Sequence, residues 1–354
     1  MPNGTINDSP TSQDVSYELP SPPTGALFQP TPPQPLAPIA PLTPPAINDT
    51  SDKGLTNAFY NYFHPTHPFL PPHHCLHLLD GNNLSHLELA VRFIGSLYVP
   101  NARSFEYLHA FRQLRAQNAL PMDGTRVQAL LLFAIGLHMS DLEQESAEVM
   151  REVAQLACDL GMNRSEYAVH YGNGQPVLEE CWRRTWWEVF VCDGFFTGVN
   201  PMHYTLVLQG IKQDAFLPCE EAQFHAGVSA SSNPNACTKD VTDTRYQQVP
   251  PTFKTLDDYD SALFEDDDYV YSSATYRIDA VRLMHKVCPI QKMAMQTGVL
   301  DTQMVAQADL HLTNWWLHLP PSKRSAIDKH GNMDEALFEA FMIAYAYGST
   351  AQDI

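Results

Sequence analysis

Basic residues are scarce in this chain: 21 Lys and Arg stand against 40 Asp and Glu, a formal net charge of −19 over 354 residues. Gripping a phosphate backbone needs a Lys/Arg face, and an anionic membrane surface asks for the same. The balance argues against both as direct partners. Long apolar runs are missing too. None approaches the roughly 18–20 residues of a membrane span, and no basic segment leads into an apolar core at the N-terminus, as a secretory signal would. Cysteines are few and scattered, at 75, 158, 181, 192, 219, 237 and 288. An odd, dispersed set suits a reducing compartment better than a disulfide framework. Also absent are Gly-x-Ser-x-Gly, a Walker loop, Gly-x-Gly-x-x-Gly and His-Glu-x-x-His. The paired acids Glu179-Glu180 and Asp257-Asp258 read as solvent-facing, with no companion acid or base at a telling spacing. Enzyme chemistry is therefore not expected. Sustained period-two alternation with hairpin turns is lacking as well, which excludes an extensive sheet.

What is present is enough apolar residue, 44%, to build a sizeable core. Residues 1–52 hold thirteen of the 28 prolines and no Lys or Arg. Their short apolar clusters bury too little to offset chain entropy, so a disordered tail is expected. It reads as a solvated linker, or else as a polyproline segment around Pro32-Pro33-Gln34-Pro35 that docks on an aromatic groove. Order should begin near Lys53 and form a domain over 53–354. Leu55–Phe63 reads as an aromatic helix stopped by His64-Pro65, and Pro71-Pro72 as the start of a helix through Leu79. Ser85-His86-Leu87-Glu88 has the spacing of a capping box ahead of a helix to about Tyr98, and another helix spans Ser104–Asn118.

Three consecutive helix-length patterns form the centre: Val127–Met139, Leu142–Leu160 and Leu178–Gly198. Thr125 and Asp141 are the expected caps of the first two, and Gly161 the C′ residue of the second. From about Asn200 to Ser272 helical periodicity fades. Residues 214–268 hold twelve acidic against three basic residues, so an acidic, solvated loop near 214–272 is expected. Helices return at Ser273–Gly298, from Asp301 to Leu319, and at Asp334–Tyr347. The predicted class is all-α: an irregular multi-helix domain after a disordered tail, interrupted by the acidic loop.

Three constellations invite a chemical reading. His64, His67, His73, His74, Cys75 and His77 are the densest set of metal-ligand types, but no second pair follows at zinc-site spacing, so packing is favoured and no metal is assigned. Trp182, Trp186 and Phe190, four apart on one helix face, with Trp187 on the next, are either core packing or the lining of a small-molecule effector pocket. Arg183 and Arg184 offer guanidinium forks near Asp193. An ion pair with an acid on a neighbouring helix is favoured over ligand capture. The acid-aromatic run Phe253–Tyr271 reads as a solvated loop, or as an activation segment with aromatics kept exposed by charge.

Four segments together resemble the fungal-specific transcription factor domain, the middle homology region of fungal zinc binuclear cluster regulators. They are Phe59-Tyr60-Asn61-Tyr62-Phe63-His64-Pro65 through Leu70, Val127-Gln128-Ala129-Leu130-Leu131-Leu132, Ala154 to Arg164 with Leu160-Gly161, and Arg183-Arg184-Thr185-Trp186-Trp187 with Asp193. Leu217-Pro218 and Trp315 with Leu319-Pro320 also resemble that family. The resemblance covers roughly residues 55–350. It implies transcriptional regulation in a fungal nucleus, of a metabolic or biosynthetic gene set. Protein partners would be a second copy, a zinc-cluster regulator or the transcription machinery, with DNA engaged only indirectly and a small-molecule effector as a further possibility. Family members bind zinc through an N-terminal six-cysteine module, and no such cluster stands in this sequence, so no cofactor is expected in the chain itself. The sequence is expected to represent a regulator's central domain, C-terminally truncated, or an interaction module that dimerises with a full-length regulator.

Overall fold

The computed structural model describes residues 49–79, 84–226, 254–262, 269–299 and 302–352, with backbone alone for 347–352. The tail through Ile47 and Asn48, residue Phe253, Leu263–Asp268 and Asp301 lie outside the described residues. Among the described residues the chain is helical. Extended pairing is confined there to one antiparallel bridge between Ile327 and Met333.

The first helix, α1 (Asp52–Ala58), is capped by Ser51, whose hydroxyl accepts from Gly54 N. It runs into a wider π turn over Phe59–Phe63, closed by His64 N donating to Phe59 O at 2.9 Å. His73–Leu79 is a tight 3-10 segment, where the double proline had suggested an ordinary helix. Next come α2 (Ser85–Ser96) and α3 (Ser104–Ala116). The expected capping box does not form: Leu84 is the residue before the first helical turn of α2, and Glu88 pairs along the helix with Arg92 at 2.9 Å.

The centre consists of α4 (Gly124–Met139), α5 (Glu143–Asp159), the short α6 (Ser165–Tyr171) and α7 (Pro176–Val199). Asp123, two residues before the expected Thr125, caps α4 by accepting from the backbone N–H of Thr125 and Arg126. Asp141 does not cap α5 either. It takes a left-handed turn conformation, φ 58°, and Leu142 precedes the helix. The other end of α5 is a Schellman stop: Met162 N donates to Ala157 O, Gly161 N to Cys158 O, and Gly161 has φ 76°. Val127 through Leu137 of α4 are buried without a break. A helix apolar on all sides belongs in the middle of a fold. Here α2, α5 and α7 surround it.

The described parts of the segment after α7 are held to the core, while residues 227–253 and 263–268 of the expected acidic loop lie outside the described residues. Tyr204, Leu208, Ala215 and Leu217 are buried against the core, followed by α8 (Glu221–His225) with buried Phe224. The short α9 (Leu256–Ala262) buries Leu256 and Tyr259, and Tyr271 is buried beyond it. Of the run read as a solvated loop or an activation segment, Leu256, Tyr259 and Tyr271 are therefore buried, Tyr269 is exposed, and Phe253, Leu263 and Phe264 lie outside the described residues. Half of the twelve acids counted over 214–268, Asp240, Asp243 and Glu265 to Asp268, lie outside the described residues, and of the rest Asp257 and Asp258 are exposed beside the buried Leu256 and Tyr259. Then follow α10 (Ser273–Thr297), ended by Gly298 at φ 66°, α11 (Thr302–His318) and α12 (Glu335–Gln352), all packed on one another.

Candidate functional site

Helix α7 begins with Pro176 in its first turn, where a missing N–H costs nothing. It is buried almost around its whole circumference from Val177 to Thr197. Its three indoles sit in the core, and each N–H finds an acceptor. Trp182 donates to Tyr171 O (3.1 Å), Trp186 to Gln213 Oε1 (2.9 Å) and Trp187 to Phe216 O (2.8 Å). Phe190 stacks on His285 of α10, ring centroids 4.4 Å apart.

The charged residues of the same helix hold what wraps it. Glu180, expected at the surface, is buried. Its Oε2 accepts from Arg183 Nε (3.0 Å), and its Oε1 from Arg184 Nε and the backbone N–H of Cys219, each at 2.8 Å. Burial alone would raise its pKa, but the flanking guanidiniums outweigh that and hold it below the ordinary range. Arg184 reaches on to Glu221 of α8 at 2.5 Å and to Cys219 O at 2.7 Å, with its guanidinium over the Phe224 ring. Asp193 meets neither arginine. It accepts from the backbone N–H of Val207 and Leu208 at 2.9–3.1 Å, and burial pushes its pKa up to about 6. Arg184, Trp186, Trp187 and Asp193 thus fasten one strap, residues 204–221, along α7. The spacing of those residues is a clamp.

A second buried network joins α7 to its other neighbours. Glu188 accepts from both terminal nitrogens of Arg277 on α10 (2.6 and 3.1 Å), and His67 Nδ1 lies 2.7 Å from Glu188 Oε1. Arg277 also pairs with Glu339 of α12. Burial would raise the Glu188 pKa, but Arg277 and His67 outweigh it and hold the carboxyl well below its usual range.

Beside this network lies a cavity of about 630 Å³ between α4, α7, α10 and α12. From α7 come Val191, Cys192, Phe195, Phe196 and Val199. Across from them stand Ile135, Met284, Met342 and Ile343, with His67, Arg277 and Glu339 among its polar residues. None of Trp182, Trp186, Trp187, Phe190, Arg183, Arg184 or Asp193 lines it. Trp187 and Arg184 border only a small recess of about 30 Å³, room for a water. The large cavity had no sequence signal, because it is a gap between helices far apart in the chain. The one hint was the apolar continuation of α7 past the tryptophans.

Of the histidine-rich stretch, His64 donates through Nε2 to Leu70 O (2.8 Å), and burial lowers its pKa to about 4, leaving it neutral. His73 stacks on Tyr60, and His67 goes to Glu188. Among the described residues no three His, Cys, Asp or Glu side chains gather as a metal site. The described cysteines are free thiols, and burial raises the Cys181 thiol to about 12. No described helix is long and apolar enough to cross a membrane.

Comparison with known proteins gives two matches. The profile of the fungal specific transcription factor domain matches residues 56–316. A C6 finger domain transcription factor of Pestalotiopsis fici, iacK, is 33% identical over 294 residues, covering 82% of this chain and 40% of the relative. The chain therefore spans well under half the length of that relative. No solved structure matches.

Proposed function

Because the chain belongs to the fungal specific transcription factor domain family, we propose that it is the control domain of a transcription regulator, working in the nucleus through protein contacts without gripping DNA itself. The observation that carries this reading is the use made of α7. Its arginines, acids and indoles are engaged in holding a strap and three neighbouring helices, which is the construction of a rigid hub. The net charge of −19 supports indirect DNA engagement, since self-repulsion from phosphate must be overcome before any base is read. Catalysis is no part of the proposal, and no cofactor is assigned to this chain. The purified chain should give no band shift removable by specific competitor DNA at physiological salt. Fused to a heterologous DNA-binding domain, it should change reporter output severalfold. A competitor-sensitive shift, or a fusion indistinguishable from the DNA-binding domain alone, would refute the reading.

A second reading, an interaction module that pairs with a full-length zinc-cluster regulator, is favoured by one feature. Trp316 and Leu317 of α11 and Phe338 and Tyr345 of α12 are exposed apolar residues on adjacent helices. Co-purification with a zinc-cluster protein would support it.

A further inference from the structure

We propose that the cavity between α4, α7, α10 and α12 binds a neutral, largely apolar small molecule that places a hydroxyl or N–H donor against the His67–Glu188–Arg277–Glu339 network. As a regulatory device this rests on the control-domain reading. As a binding site it rests on the chain's own geometry.

Size comes first. About 630 Å³ falls in the middle of the roughly 300–1,000 Å³ of pockets that enclose drug-sized molecules. It is far larger than the packing voids a core tolerates. The lining is mostly apolar and rich in aromatic and methionine side chains, with Phe195, Phe196, Met284 and Met342 on opposing helices. Such walls suit a flat or irregular hydrophobic body.

The polar network sets the chemistry of one end. Arg277 is almost wholly buried, and its guanidinium is already committed to Glu188 on one side and Glu339 on the other. One cation therefore stands between two carboxylates. An anionic ligand would meet the Glu339 carboxylate and find the arginine already paired. A carboxylate is an acceptor-only group with about four lone-pair sites, and Glu339, which lines the cavity, is paired there with Arg277. The surplus is of acceptors, so the complementary ligand group is a neutral donor. Burying an ion there would add an uncompensated charge.

Two fluorescent probes of one skeleton test this on the full chain: neutral phenylnaphthylamine, which carries an N–H, and its anionic counterpart anilinonaphthalene sulfonate. The neutral probe should bind saturably at one per chain and about tenfold or more tighter than the sulfonate. Val199 and Met342 line the cavity and are more than half exposed. The double variant Val199→Trp/Met342→Trp should therefore keep its helical circular dichroism and lose the neutral probe by about tenfold or more. Leu317→Trp on α11 should bind as the parent does. Glu339→Gln, which keeps shape and removes a charge, should narrow the gap between the probes, an effect that blockage of the mouth alone would not give. Equal affinity for both probes, unsaturable uptake, or binding retained in the double variant would overturn the proposal. So would a parent dimer that excludes the probe and becomes monomeric in the double variant, since a second copy would then occupy the cavity. Reporter failure leaves this binding result standing, and probe failure leaves the control-domain reading standing.

Discussion

At the scale of single residues, partner choice is what the sequence left open. Arg183 and Arg184 were expected to find acids on a neighbouring helix, and Arg184 does reach Glu221. The acid both share, however, is Glu180, three and four residues back on the same helix and wholly buried. Asp193 was placed near those arginines and instead caps two backbone N–H groups of the strap. Periodicity reports which residues share a face. It does not report which loop will later lie across that face. Asp193 carries a pH prediction. Its folded pKa of about 6 lies above the ordinary 3.8, through burial that outweighs the two N–H donors. A carboxyl raised in this way contributes stability that is fully present below about pH 4 and is lost as pH rises through about 6. Asp193→Asn keeps an acceptor for the strap and does not titrate. Relative to the variant, the parent should lose on the order of 3 kcal/mol between about pH 4 and pH 7. Urea unfolding of both proteins across that range would read the difference, and parallel curves would refute it.

At the scale of elements, helix existence was legible and helix ends were not. The three central helices lie where their apolar periodicity placed them, and Gly161 stops α5 as a left-handed residue because the Schellman geometry asks for one. The N-terminal caps differ at Ser85, Thr125 and Asp141: Asp123 takes the cap of α4, while Leu84 and Leu142 precede α2 and α5 with no side-chain cap. In the described parts of the 200–272 segment, Tyr204, Leu208, Leu217 and Tyr259 are buried against the core, a hold that a count of charges does not report. Close approach between α1 and α2 was also invisible. A Cβ at Gly95 would stand 2.0 Å from Leu55 O and 2.8 Å from its carbonyl carbon, backbone atoms that cannot turn aside. Gly95→Ala raises helix propensity in α2 yet must push α1 away. It should therefore destabilise by about 2–3 kcal/mol, read as a lower urea midpoint with unchanged slope. A neutral or stabilising result would mean that the two helices are not so closely packed in solution.

At the scale of the whole molecule, the class and the family were legible because both rest on local sequence: apolar repeats of 3.6 residues and short motifs that survive in order. The cavity was not, since a shortfall of packing among α4, α7, α10 and α12 is a property of their arrangement. The same holds for the outer face of α11 and α12. Trp316 stacks on Phe341 with ring centroids 5.1 Å apart, while Leu317, Phe338 and Tyr345 remain 69%, 43% and 73% exposed. Exposed apolar side chains gathered on two packed helices mark an interaction site or an aggregation liability. With a net charge of −19, like-charge repulsion opposes self-association at low ionic strength and is screened as salt rises. The full chain should therefore associate more strongly at high salt than at low salt, the opposite of an interface built on ion pairs. Leu317→Glu with Tyr345→Glu should weaken that association at every ionic strength, leaving the buried Trp315 and the core beneath untouched. Light scattering over a concentration series at two salt levels separates the cases. A monomer under all conditions would assign this face to a different partner, and association that salt disrupts would place the contact on charged residues elsewhere.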